Sequence, residues 1–136
     1  MLADRIGDNT TVRSAESFSS TAFINDNGKF SSVPLPNQAQ IFPVNDVVIA
    51  DFNKDGQTDV FVAGNMYQRE VETTRSDSGK GCMMTFDKEQ KIRIISPQQT
   101  GISADKDVRD LAIIQNGADK HLVIANNNDA LQFYKY

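Results

Sequence analysis

Residues 51–59 of the chain read Asp51-Phe52-Asn53-Lys54-Asp55-Gly56-Gln57-Thr58-Asp59. Oxygen-bearing side chains stand at loop positions 1, 3, 5 and 9, and position 6 is a glycine. This spacing is typical of a calcium loop, because alternate residues turn their oxygens inward and the glycine permits a sharp reversal that a Cβ opposes. The predicted ligands are the side chains of Asp51, Asn53, Asp55 and Asp59 and the backbone carbonyl of Gln57. These hard oxygen donors suit calcium better than zinc or copper.

The residues on both sides of this loop predict strands rather than helices. An EF-hand loop would continue to a bidentate glutamate at position 12, which is Val62 here. Residues 47–50 and 60–63 are apolar and largely β-branched, as in buried strands. We therefore expect a strand–calcium loop–strand unit. The alternative is a hairpin turn rich in Asp, Asn and Gly that binds no metal.

Four further segments match a known repeat family. They are Asn27-Gly28-Lys29-Phe30, Ala63-Gly64-Asn65, Val108-Arg109-Asp110-Leu111 and Asn126-Asn127-Asn128-Asp129. Together with the loop, they resemble the FG-GAP or VCBS repeats, which are calcium-decorated blades of β-propellers. The second glycine of that family's NGxGxF turn is missing here. The resemblance covers about residues 17–136, and the loop is its most specific part.

The resemblance implies an all-β fold of about two propeller-type blades of antiparallel strands, as a fragment of a larger propeller in the C-terminal portion of a large bacterial surface protein. It implies Ca2+ as the cofactor and a location outside the cell or in the cell envelope, although residues 1–20 are polar and contain no signal peptide. The implied role is non-enzymatic adhesion, with a protein or carbohydrate ligand. One alternative is a purely structural blade pair with no ligand, and a compact β-sandwich is another arrangement of the same hairpins.

The chain divides into a lead-in and two repeats. Residues 1–16 are a lead-in or the tail of a preceding blade, residues 17–81 hold the repeat with the calcium loop and a long polar excursion, and residues 82–136 hold a degenerate repeat. Placing residues 61–65 over 123–127 gives an offset of 62, which carries Ile49 to Leu111 and Asp59 to His121. The second copy thus keeps the hairpin and loses the calcium ligands.

Several other side chains have both a functional and a structural interpretation. In the polar excursion, Glu72, Arg75 and Asp77 match a loop of the family's large surface members and are candidates for contact with a ligand or partner. The alternative is an Arg–carboxylate pair that braces the loop. His121 has no second ligand near it in sequence, which favours a structural role. Cys82 lies in an apolar segment, which predicts a buried and inert thiol.

Composition limits the class of partner. The chain has 136 residues, which is enough for one domain. Its net charge of −4 argues against the basic face of a nucleic-acid-binding protein. No apolar run approaches a membrane span. Two blades leave apolar strand faces and open sheet edges, so we expect these to meet the rest of a larger propeller or to drive self-association.

Overall fold

The computed structural model describes residues 10–87, 89 and 91–136, which form three small antiparallel sheets. The all-β class is confirmed, and the described residues form no closed propeller or barrel. Of the predicted lead-in, residues 1–9 lie outside the described residues, and residues 10–16 are exposed and belong to no strand or helix. The strands are β1 (Thr21–Asp26), β2 (Lys29–Pro34), β3 (Val44–Ala50), β4 (Asp59–Gly64), β5 (Cys82–Phe86), β6 (Ile92–Ile95), β7 (Val108–Asn116), β8 (Asp119–Asn126) and β9 (Gln132–Lys135).

β1 and β2 pair with each other as a separate hairpin. Its two-residue turn, Asn27-Gly28, has φ angles of 50° and 89°. Both lie in the left-handed region that a tight hairpin turn requires, and the Asn25 side chain caps the turn by accepting the Gly28 amide at 2.8 Å. The hairpin leaves Phe23 and Phe30 more than half exposed.

The predicted calcium-loop hairpin forms half of a four-stranded sheet in the order β3-β4-β5-β6, here called unit 1. Ala50 lies opposite Asp59 where the two strands meet the loop. On its other side β4 pairs with β5, with Val62 opposite Cys82. The predicted division between residues 81 and 82 therefore falls between two paired strands of one sheet.

β7, β8 and β9 form a three-stranded sheet, here called unit 2, whose register corresponds to that of unit 1. Each first strand has an irregularity near its start, after which Asp46 lies opposite Ala63 and Asp110 lies opposite Ala125. The second strands are thus 62 residues apart, but the first strands are 64 apart.

The predicted offset of 62 therefore needs correction for the first strand. Ile49 lies opposite Val60 and Ile113 lies opposite Leu122, so Ile49 corresponds to Ile113 and not to Leu111. The physical reason is the length of the connection between the first two strands. In unit 2 these strands stay paired as far as Asn116, so the connection is two residues shorter than in unit 1.

Two apolar clusters hold the sheets together. The first lies between the units, and the second covers β4 and β5 on the other face of unit 1 but leaves Val47 and Ile49 of β3 exposed. Unit 2 contributes one face only. The buried members of the first cluster are Phe52, Phe61, Ala63, Met83, Ile102, Ala104, Val108, Leu111, Leu122 and Ile124. Those of the second are Ala39, Phe42, Val62, Cys82 and Met84.

Cys82 is buried, as predicted. Its burial raises the pKa of the thiol to about 11, so the nucleophilic thiolate is scarce at neutral pH.

Helix is limited to α1 (Pro97–Thr100) and a 3-10 turn at Asn37–Ala39 within the described ranges. In that part of the chain, no helix has the length and apolar character needed to cross a membrane.

Candidate functional site

The predicted calcium loop folds back on itself between β3 and β4. Asp51 organises the reversal, because its Oδ1 accepts the Asp55 amide at 3.1 Å and its Oδ2 accepts the Gly56 amide at 2.9 Å. Gly56 has a φ of 82°, in the left-handed region that glycine adopts most readily. The sharp reversal expected at loop position 6 is therefore present.

The middle of the loop is exposed, and its oxygens face the loop's own backbone. Asn53 Oδ1 accepts the Asp55 amide at 3.0 Å, and Asp55 Oδ1 accepts the Gln57 amide at 2.8 Å. The Asn53 side-chain amide also donates to Asp55 Oδ2 at 2.9 Å. These local hydrogen bonds hold the side chains of Asn53 and Asp55 against the loop.

Asp59 differs from the other predicted ligands because it is fully buried, at 0% exposure. Its Oδ2 accepts the Phe52 amide at 3.0 Å, but its Oδ1 has no hydrogen-bond partner among the described residues. A buried carboxylate oxygen without a partner is costly, and buried charges are normally paired or bound to a metal. Since Phe52 belongs to the loop, the carboxylate is held against the loop with one oxygen unused.

The chemistry of the donors fits calcium, although the side chains are not gathered round a single point. Among the residues that the structure describes, no three His, Cys, Asp or Glu side chains cluster at metal-binding distance. Asp51 and Asp55 each accept backbone amides of the loop, and a carboxylate, with about four lone-pair sites, can do so while it also binds a cation. The donors themselves are oxygens from carboxylate, amide and carbonyl groups, which is the set that calcium prefers.

The corresponding end of unit 2 lacks this donor set. Its shorter turn places Gly117 at a φ of 62°, and the Gln115 side chain donates to the Gly117 carbonyl at 3.0 Å. Asp119 pairs with Lys135 at 2.8 Å, and this contact lowers the pKa of the Asp119 carboxyl. His121 occupies the position that Asp59 has in unit 1, since Asp59 lies opposite Ala50 and His121 lies opposite Ile114, the counterpart of Ala50.

The polar excursion between β4 and β5 brings together two of its three predicted site residues. Arg75 Nε lies 2.8 Å from Asp77 Oδ2, and the Arg75 guanidinium lies 4.8 Å from the centroid of the Tyr67 ring. Glu72 is exposed in the turn at residues 71–73 and takes no part in this ion pair. Because Arg75 and Asp77 are both exposed, their ion pair contributes at most about 1 kcal/mol to stability.

The polar residues that join the two units were not singled out from the sequence. Asp46 Oδ2 accepts the Leu111 amide at 2.6 Å, and its Oδ1 accepts the Val47 amide at 2.8 Å. Asn45 donates from its side-chain amide to the Val108 carbonyl at 2.7 Å. Adjacent side chains of β3 thus bind the backbone of β7.

A second polar contact between the units centres on Asn65, which is fully buried. Its Oδ1 accepts the Gly79 amide at 2.9 Å, and its Nδ2 donates to the carbonyls of Gly79 and Lys106, each at 3.0 Å. Asn65 therefore connects both ends of the polar excursion between β4 and β5 to the segment that precedes β7. The signal in the sequence was the pair Asn65 and Asn127, each of which follows the second strand of its unit.

Comparison of the chain with models of protein families, with curated proteins and with solved structures gives no match. The resemblance to FG-GAP or VCBS repeats therefore stays a prediction from the motifs in the sequence.

Proposed function

We propose that this protein is a non-enzymatic calcium-binding β-repeat module whose ion is held by residues 51–59. The observation that carries the proposal is the unpartnered Oδ1 of the fully buried Asp59. Bound calcium would be the positively charged partner that this carboxylate lacks. Side chains of Asp51, Asn53 and Asp55 and the carbonyl of Gln57 would provide the remaining protein oxygens.

Calcium at this position would stabilise the packing between the units as well as the loop. Phe52 lies inside the loop, and its amide donates to Asp59. Its ring packs against Tyr136 of unit 2 at a centroid distance of 4.6 Å and against Phe61 at 6.5 Å. Ordering the loop therefore orders an aromatic side chain in the core between the two sheets.

The corresponding registers of units 1 and 2 support the proposal that they are two propeller-type blades. The resemblance adds an extracellular or cell-envelope setting and a protein or carbohydrate ligand. A weak calcium site would be filled there, since extracellular modules bind calcium at roughly 10⁻⁴ to 10⁻³ M. The exposed excursion with Glu72, Arg75 and Asp77 is the proposed surface for such a ligand.

The second candidate is a structural blade pair with no ligand of its own. The contacts of Arg75 favour it, because this side chain is engaged with Asp77 and Tyr67 of its own loop. A glycan or protein array probed with the wild type and with Arg75→Ala separates the two candidates. A ligand lost on this substitution supports the adhesion role, and no ligand at all supports the scaffold.

We expect calcium to raise the melting temperature of the protein. With a Kd of roughly 10⁻⁴ to 10⁻³ M, about 10 mM calcium adds about 1.4–2.7 kcal/mol through preferential binding to the folded state. For a domain of this size that corresponds to an increase of roughly 5–10 °C. Thermal unfolding followed by circular dichroism, with calcium and with chelator, measures the shift.

Two variants that each remove one negative charge test whether calcium binding depends on Asp59. Asp59→Asn removes the buried negative charge with little change in shape, and the calcium-dependent shift should disappear. Asp77→Asn removes the same charge from the exposed excursion and should keep the full shift. The proposal fails if the wild type shows no shift or if Asp59→Asn retains it.

We also expect Gly56→Val to weaken calcium binding while Lys54→Ala leaves it nearly unchanged. No heavy atom lies within 4 Å of a Cβ added at Gly56, so the cost comes from its φ of 82°, which a β-branched residue adopts only with strain of about 1–2 kcal/mol. This corresponds to roughly a tenfold rise in Kd. Lys54 is exposed and already adopts a positive φ, which alanine keeps. Isothermal titration of both variants is the measurement, and equal affinities would contradict the loop geometry.

A further inference from the structure

One face of unit 1 packs against unit 2. Val48, Phe61 and Met83 lie side by side across β3, β4 and β5 and face unit 2. Phe61 and Met83 are each only 2% exposed. At the edge of this face, Asp46 accepts the Leu111 amide of unit 2. The contact thus combines an apolar row with one carboxylate acceptor.

Unit 2 carries the same arrangement on its outer face, where the described residues leave it uncovered. Ala112, Val123 and Phe133 lie side by side across β7, β8 and β9 in the matching register. Phe133 is 58% exposed, although its counterpart Met83 is buried. Asp110, the counterpart of Asp46, is also exposed. This surface is called the outer face of unit 2 below.

The complementary half of the contact is present on β3 of unit 1. Leu111 is only 6% exposed because unit 1 covers it, whereas its counterpart Val47 is 48% exposed and the neighbouring Ile49 is 61% exposed. The Leu111 amide donates to a carboxylate of the other unit, and the Val47 amide donates to its own neighbour Asp46. Unit 1 therefore keeps the β3 part of the complementary half free, while Val62, the counterpart of Ile124, is covered by the second apolar cluster.

We infer that the outer face of unit 2 binds the β3 surface around Val47 in a second copy of this chain. The occupant is a second copy because the chain itself contains the complementary half, and it already joins the two halves once within a single molecule. Such head-to-tail contacts generate rings or open filaments. The inference does not depend on calcium.

Sedimentation velocity over a hundredfold range of concentration tests the inference. We expect the mass of the wild-type protein to rise with concentration. Phe133→Glu and Val47→Glu should each weaken the association about tenfold or more, because each places a charge in an apolar contact. Phe23→Glu is the matched control, since it changes a phenylalanine on β1 that is also more than half exposed. Circular dichroism melts check that every variant is folded.

Mixing the two interface variants gives a sharper result. Phe133→Glu keeps an intact β3 surface, and Val47→Glu keeps an intact outer face of unit 2. An equimolar mixture should therefore form a heterodimer although each variant alone is weakened. A wild type that stays monomeric at every concentration overturns the inference, as does association that neither substitution weakens. Variants that fail to complement each other would also overturn it, because they would point to a symmetric contact.

Discussion

Gly64→Ala is expected to destabilise the fold strongly. A Cβ added at Gly64 would overlap the Pro43 carbonyl oxygen and would lie 2.7 Å from its carbonyl carbon. These backbone atoms are held in place, because Val44 lies opposite Gly64 and the Asn65 amide donates to the Pro43 carbonyl at 3.2 Å. Relief requires β3 and β4 to separate, and we expect a loss above about 4 kcal/mol from a total stability of roughly 5–15 kcal/mol.

Urea unfolding followed by circular dichroism measures this loss, with Gly28→Ala as the control. Gly28 lies in the turn of the first hairpin, has no heavy atom within 4 Å of an added Cβ, and has a φ of 89°. Its substitution should cost only the conformational strain of about 1–2 kcal/mol. Equal losses for the two variants would show that the approach of Pro43 to Gly64 does not limit the fold.

Asn65→Gly is expected to cost about 3 kcal/mol, because three hydrogen bonds are lost and buried backbone groups are left without partners. Glycine is the informative replacement, since Asn65 has a φ of 88° and glycine adopts this conformation without strain. The loss therefore reports the side-chain contacts and not the backbone. The same urea unfolding experiment measures it.

Asn128→Gly provides the matched comparison for that variant. Asn128 also has a positive φ, of 55°, but it is exposed. We expect its free energy of unfolding to change by no more than about 0.5 kcal/mol. If Asn65→Gly falls within the same range, then Asn65 does not hold the excursion and the second unit together.

The features that the sequence predicted correctly are local ones. The β-branched residues beside the predicted calcium loop indicated strands, and β3 and β4 lie there. The Asn27-Gly28 pair indicated a tight hairpin, and both residues adopt positive φ angles. Gly56 indicated a reversal, which Asp51 stabilises through the amides that follow it. In each case neighbouring residues are enough to determine the backbone conformation.

The features that the sequence did not predict depend on distant contacts or on chain register. Asp46 and Asn65 bind backbone groups in a later part of the chain, and nothing beside them in sequence indicates those partners. The shorter turn of unit 2 shifted one strand by two residues, so a single offset could not align both strands. The spacing of the loop also gave no reason why Asp59 alone is buried among the predicted ligands.

The hydrogen bond from the Leu111 amide to Asp46 affects the order of folding. It connects residues that are 65 positions apart, whereas each hairpin pairs residues across a short turn. Closing a longer segment costs more chain entropy, so hairpins form within roughly microseconds and distant pairings follow. We therefore expect the hairpins to form before the contact at Asp46 closes. At high concentration, a hairpin of one chain can then occupy its neighbour's place, and domain-swapped species are the expected by-product of refolding.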